Sequence, residues 1–394
     1  MLSLARYTEL FAQPDMRGAI VASFIGRLPI GISGLALLLL VRANQSSVSD
    51  AGLVTSAYLG GLAGIAPLVG RIIDRLGPRP VLLIAGIAYP VALLLLVSAV
   101  ARGASLGLVL LLSFAAGATL PQVTTCMRTL YRRRLQDDAV LIAALSLDSV
   151  LIEVVFIVGP MLVAFVVAVA TPDVAVLLGA LCAALGAILV TRTPAMTAWP
   201  IEGLRRRSLL GVLQDAGFRR LLAILLGYAA VFGCVDIGVA TYAFEAQRPA
   251  LAGIILGVMS IGSAAGGLAY GSRSWHLPLT RQFPLALVVM GLAIAPLTLI
   301  TSAFPLAVAA VIAGVTMAPP LIIQSTIVAK TMPTSQMAEA FTWVTTAMLC
   351  GVGIGFALGG VVAEANGAAT VFALAASITV IMGVAARGIL RTEG

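Results

Sequence analysis

Charge is what this chain has least of. Only 10% of its 394 residues are Asp, Glu, Lys or Arg, while 60% are hydrophobic and mean hydropathy is +1.09. A soluble globular chain carries about 25% charged residues, so this one lacks the polar surface to face water on all sides, and lipid is its main solvent. There is a single histidine, His276, so neither a metal site nor a proton relay built on imidazoles is available. The four cysteines (Cys126, Cys182, Cys234 and Cys350) lie inside apolar runs and form no C-x-x-C pair. They read as small apolar residues, not as a disulfide framework or metal site. No G-x-x-x-x-G-K-[ST] loop occurs, which excludes ATP as the expected energy source. The apolar residues do not alternate with polar ones over short strands, so a barrel is excluded as well. What is abundant is the apolar run of about 20 residues, the length of a membrane-spanning helix.

Twelve such runs are predicted, near 18–41, 51–69, 81–101, 106–127, 139–170, 174–191, 221–244, 250–270, 283–301, 305–328, 338–363 and 368–386. The net charge of +8 would suit a nucleic-acid binder, but its positions refute that reading: the one lysine and the arginines sit almost wholly at the ends of runs. With the amino terminus in the cytoplasm, inner segments hold twenty of the 24 basic residues. Outer segments hold only Arg42, Arg102 and Arg248, and Arg27 falls inside a span. The positive-inside rule therefore places both termini inside. The polar first eighteen residues do not read as a signal peptide, since the following run is long and lacks a cleavage site.

The longest polar stretch, Arg192 to Arg220, divides the chain near its midpoint. Residues 1–191 and 221–394 are expected to form two six-helix bundles, with 192–220 as a cytoplasmic linker. Direct repetition supports parallel halves. Gly117-Ala-Thr119-Leu-Pro121-Gln122 in span four is echoed by Gly314-Val-Thr316-Met-Ala-Pro319-Pro320 in span ten, and Gly70 is echoed by Gly267 at the same offset.

Between spans two and three lies G-R-I-I-D-R-L-G-P-R-P, Gly70 to Pro80, read as a short polar turn. Its Gly70, Asp74, Arg75, Gly77 and Arg79 resemble the signature loop of the major facilitator superfamily. Glu339-Ala-Phe341-Thr-Trp343, followed by Gly351, Gly353, Gly355, Gly359 and Gly360, is similar to the eleventh helix of many bacterial members. The resemblance covers nearly the whole chain. It implies an all-α integral membrane protein of twelve helices in two pseudo-symmetric bundles, with a central cavity and alternating access by rocking. It also implies that Asp74 pairs with Arg128 or Arg132 and faces the amino-terminal end of helix eleven, latching the halves together. The counterpart loop of the second half, Gly267 to Arg273, has lost the aspartate.

Charges inside spans carry the functional argument, because each costs about 2.5–3.5 kcal/mol at the bilayer centre and usually pairs or lines a cavity. Arg27 and Glu153 fall at similar depth in spans one and five, neighbours by resemblance, so an Arg27–Glu153 pair is expected, either structural or active in transport. Asp148 lies about 140° around the same helix from Glu153 and is expected to look into the amino-terminal bundle or the inner vestibule. Asp236 in span seven, a cavity-lining helix by resemblance, is the best lone acid for substrate or proton. Gln122 and Gln324, on spans four and ten, either hydrogen-bond a polar substrate or bridge helices. Tyr58 and Tyr242 are further contacts to consider, or interface anchors. Gly159-Pro160 resembles part of the antiporter signature, without its flanking glycines, which leans the reading toward export.

The expectation is a monomeric secondary transporter of the bacterial inner membrane, not an enzyme and without cofactor or metal. It exports a small organic solute in exchange for protons carried by Glu153 or Asp236. The alternatives are an importer or facilitator of a sugar, nucleoside or amino-acid-like solute, and a transport-inactive receptor or scaffold on the same fold.

Overall fold

A computed structural model describes residues 11, 14–44, 47–135, 138–197, 211–273, 275–332 and 337–390. Among these there is no strand. In lipid each helix satisfies its own backbone, and here helices carry nearly every described residue.

The first half contains α1 (Pro14–Ala43), α2 (Val48–Leu76), α3 (Pro78–Ala101), a fourth span broken into α4 (Leu106–Thr119) and α5 (Val123–Arg134), α6 (Asp138–Val169), α7 (Pro172–Arg192) and the single turn α8 (Pro194–Thr197). The second half contains α9 (Ala216–Glu245), α10 (Ala250–Gly271), α11 (Leu279–Ile294) with a 3-10 extension to Leu299, a tenth span broken into α12 (Ala303–Val315) and α13 (Ala318–Thr331), and α14 (Met337–Leu390). Among the described residues, eleven stretches are long and apolar enough to cross a membrane. The last of them is two spans in one, because Gly367 turns the chain at φ 75° inside α14. Twelve crossings result.

The sequence echo is a structural one. Span four breaks at Leu120–Gln122, where Pro121 cannot donate to the helix ladder, and span ten breaks at Thr316–Met317, just before Pro319-Pro320. Gly117 and Gly314, the paired glycines, each sit where an added Cβ would strike a backbone carbonyl of the neighbouring helix, Tyr58 for the first and Met259 for the second. Small residues permit this close approach in a bilayer, where packing replaces the hydrophobic effect as the glue.

The glycines of span eleven divide their work by register. Gly351, Gly355 and Gly359 recur every four residues and face α9, at Leu226, Ala230 and Cys234. Gly353 and Gly360, seven apart, face α2 of the other half, at Ser56 and Ser49. Lipid takes the remaining surfaces: on α3, Ile84, Ile87, Val91 and Leu94 form one exposed apolar face at helical spacing.

The signature stretch is not a loop of eleven residues. α2 continues in helical form to Leu76 and α3 starts at Pro78, leaving only Gly77 between them, at φ 79° with its N–H donating to the Ile73 carbonyl at 2.9 Å. A helix ladder does not end where lipid ends, so the polar Gly70–Leu76 segment prolongs α2 until a left-handed residue stops it. Pro78 then fits the first turn of α3.

Candidate functional site

Asp148 is the centre of the polar interior. Its carboxylate accepts from the Nη2 of Arg27 on α1 and, at 2.7 Å, from the Nε of Arg128 on α5. Arg27 and Asp148 are fully buried, whereas the Arg128 side chain is 52% exposed. The predicted Arg27–Glu153 pair is therefore corrected: the partner is Asp148. Helix face decided it, not depth. On α6 the residues Asp148, Val155 and Gly159 share one face at 100° per residue, and Val155 and Gly159 pack on Gly31 of α1. Arg27 is one turn from Gly31 and meets that same face. Glu153 is rotated away, onto the face of Ile157, Pro160 and Ala164 that meets α10 at Gly253 and Gly257.

Two guanidiniums on one carboxylate leave a net positive charge in the amino-terminal bundle. Arg27 Nε and Nη1 and the buried Tyr131 hydroxyl have no hydrogen-bond partner among the described residues. Arg128 belongs to a partly exposed polar stripe, Gln122, Thr125, Arg128 and Thr129, on the side of α5 turned away from α1 and α7. Thr125 escaped the sequence reading, although threonines three residues from Gln122 and from Arg128 were a visible signal for it.

Glu153 and Asp236 lie well inside their spans, and neither makes a hydrogen bond or ion pair among the described residues. Between Tyr228 and Ala243 only Phe232 and Asp236 are not buried, and they stand four apart on one face. That face lies about 160° around the helix from Gly238, which packs on Phe372 of the last span. Asp236 therefore points away from its own bundle's rim. Gln122 is partly exposed at the break in span four, while Gln324 is buried with an unpartnered Oε1.

Tyr58 and Tyr242, weighed as solute contacts or interface anchors, each make a hydrogen bond inside the protein. Tyr58 is buried and its hydroxyl meets that of Tyr89 at 3.0 Å, which meets Ser33 Oγ at 2.6 Å. Tyr242 donates to the Thr301 carbonyl at 2.9 Å. Tyr58 ties α2 to α3, and Tyr242 ties α9 to the segment that precedes α12.

Arg71, Arg75 and Arg79 of the signature stretch are exposed, and a Cβ on Gly70 would meet nothing within 4 Å. Arg128 binds Asp148 through its Nε, and the expected pairing of Asp74 with Arg128 or Arg132 falls outside the described residues. The side chains of Asp74 and Arg132 lie outside the described residues.

The halves touch at the opposite, arginine-poor end. A Cβ on Gly52 of α2 would strike the Phe356 carbonyl, and one on Gly253 of α10 the Pro160 carbonyl. The Ser49 N–H, in the first turn of α2, donates to the Glu364 carboxylate at 3.2 Å. Arg42 sits 5.5 Å from the centre of the Phe244 ring. Around them is a recess of about 490 Å³ lined by Arg42, Thr241, Phe244, Glu245 and Glu364. Sequence reading passed over this cluster because each residue in it, taken alone, is an ordinary solvated span end. Toward the signature end Gly64 and Gly70 on α2 face open space. Among the described residues, one end is closed by contacts between the halves.

The chain resembles solved transporters over its full path. A point mutant of the nucleoside transporter NupG superposes with TM-score 0.76 at 16% identity, covering 94% of this chain and 98% of that one. NupG itself gives 0.73 at 16% identity, over 94% and 98%. The human organic anion transporter MFSD10 (TETRAN) gives 0.66 at 18%, over 94% and 99%. No curated protein sequence matches this chain. The sequence profile of the Major Facilitator Superfamily matches residues 19–274, more than half of the chain, and with the twelve crossings and paired broken spans described above, the chain belongs to that superfamily.

Proposed function

We propose that this transporter exports a small organic solute in exchange for protons, by alternating access. The observation that carries the proposal is the division among the acids: Asp148 is spent on two arginines, whereas Glu153 and Asp236 have no partner among the described residues. A carboxylate held by two guanidiniums is committed as their counter-ion, and removing it would strand a buried charge. Unpaired carboxyls on faces turned toward the other bundle can load a proton on one side and release it on the other. Residues 1–191 and 221–394 are the moving bodies, joined by 192–220, and the signature end with both termini faces the cytoplasm of a bacterial inner membrane. The conformation is then inward-open. The pump works as a monomer.

Gly159-Pro160 supports the exchange reading by its position. Gly159 packs on Gly31 within its own half and Pro160 meets Gly253 of the other, so the pair lies where the halves must part in the outward-open state. A second reading, uptake of a polar or anionic solute, draws on the surplus positive charge at Arg27 and Arg128 and on the unpartnered Gln324 amide oxygen. Proteoliposomes separate the two. Asp236→Asn or Glu153→Gln at the true proton carrier abolishes solute movement driven by a pH gradient and leaves counterflow exchange intact. Full gradient-driven transport in both variants would exclude these acids and favour the proton-independent facilitator.

A further inference from the structure

From the binding-site geometry at the signature end of the second half, we infer that the cavity between α10, α11 and α13 holds the phosphodiester head group of an anionic phospholipid. The cavity measures about 350 Å³ and is lined by Arg273, Lys330, Tyr270, Trp275, Gln282 and Thr326, among others. It is a built site. Trp275 stacks on Tyr270 with ring centres 5.1 Å apart and donates its indole N–H to the Tyr270 carbonyl at 3.0 Å. The Tyr270 hydroxyl donates to the buried Gln282 side chain, whose amide in turn donates to the Leu277 carbonyl. The wall is thus fixed by hydrogen bonds that leave the two cations unspent: neither Arg273 nor Lys330 has an acidic partner among the described residues.

The sequence explains why. No aspartate or glutamate occurs between Glu245 and Glu339, while Arg248, Arg273, Arg281 and Lys330, the chain's single lysine, fall in that stretch. The inner ends of three spans therefore carry positive charge with no carboxylate of their own to neutralise it. An external anion supplies that missing counter-charge, and it sits at the depth where spans end. There Trp275 is 47% and Leu277 44% exposed, an indole and an apolar side chain of the kind that mark the membrane interface. A soluble phosphate would use the cations alone; a lipid uses the cations for its phosphate and the apolar rim for its chains. Basic pockets between spans on a cytoplasmic face are suited to such head groups. The inference rests on the membrane-spanning fold and the proposed orientation, and its assay reads binding, so it stands or falls separately from transport or its direction.

The test uses the purified full chain in a neutral detergent, with phosphatidylglycerol, phosphatidylcholine or inorganic phosphate added, read by thermal shift and by native mass spectrometry of retained lipid. Phosphatidylglycerol is expected to raise Tm and to stay bound, phosphatidylcholine and phosphate to do neither. Arg273→Gln and Lys330→Gln each weaken retention about fivefold, Arg273→Lys restores most of it, and Arg192→Gln, an exposed cation of the other half, leaves it unchanged. Equal retention in the Arg273 and Lys330 variants would overturn the site. So would an equal Tm shift with inorganic phosphate, which would make it a pocket for soluble anions. Should Lys330→Gln not fold, Arg273→Gln against Arg273→Lys decides the matter alone.

Discussion

Asp148, Glu153 and Asp236 are chemically near-identical side chains, and their surroundings give them different work. Removing the Asp148 charge leaves Arg27 buried with no counter-ion, a loss of about 3–5 kcal/mol for a broken buried pair. Asp148→Asn is therefore expected to cut folded yield and Tm in detergent, while Asp236→Asn is not. A double variant, Arg27→Leu with Asp148→Leu, removes both buried charges and leaves only Arg128, which is half-exposed and reaches water. It should recover much of the yield lost in Asp148→Asn, as measured by size-exclusion profile and melting. No recovery would mean that the cluster shapes the bundle through more than charge balance. Glu153 carries the opposite expectation: with no cation to strand, Glu153→Gln keeps its yield and shows its effect in gradient-driven transport.

Helices in this molecule meet through glycines, and the consequence of filling one depends on whether its contact lasts through the cycle. Gly355 faces the Ala230 carbonyl within one bundle, a contact kept in every state. Gly355→Leu overpacks it and should destabilise the protein by about 1–3 kcal/mol, seen as a lowered Tm. Gly253 faces the Pro160 carbonyl across the two bundles, a contact that alternating access must break. Gly253→Leu should leave Tm nearly unchanged and drive the population away from the closed arrangement. Distances between spin labels on α2 and the span-eleven part of α14, at the arginine-poor end, would read it. A large Tm loss instead, with distances unchanged, would mean that this contact belongs to a permanent core.

For the whole molecule, the polar contacts across the closed end include Ser49 to Glu364 and Arg42 over Phe244. An anion at a helix start is worth about 0.3–1 kcal/mol. Glu364→Gln should thus raise the share of molecules open at that end about two- to fivefold, measured by the same label distances. No change would locate the latch in the apolar contacts alone. Orientation is tested separately. A reporter active only in the periplasm, fused after Arg102 or Arg248, is expected to be active, and fused within Arg205–Arg207 to be silent; the reverse pattern would turn every inside and outside assignment over.

The sequence by itself determined the solvent, the twelve crossings and the two parallel halves. Those depend on quantities summed over many residues: run length, overall charge and a repeat offset. It also marked the glycines and the prolines at the breaks in spans four and ten, because a missing side chain or N–H acts locally. It did not determine which charged residues meet. Arg27 and Glu153 matched in depth, but a partner is chosen by the rotation of one helix against another, and that rotation is set by Gly31 fitting Val155 and Gly159. Nor did it show the extent of α2, since the helix ends at the Gly77 backbone turn and not at the edge of the apolar run. The Glu364 contact joins residues 315 positions apart, each unremarked in its own segment. Only the packing of the two bundles brings them together, because the contact belongs to a state of the molecule and not to any one element.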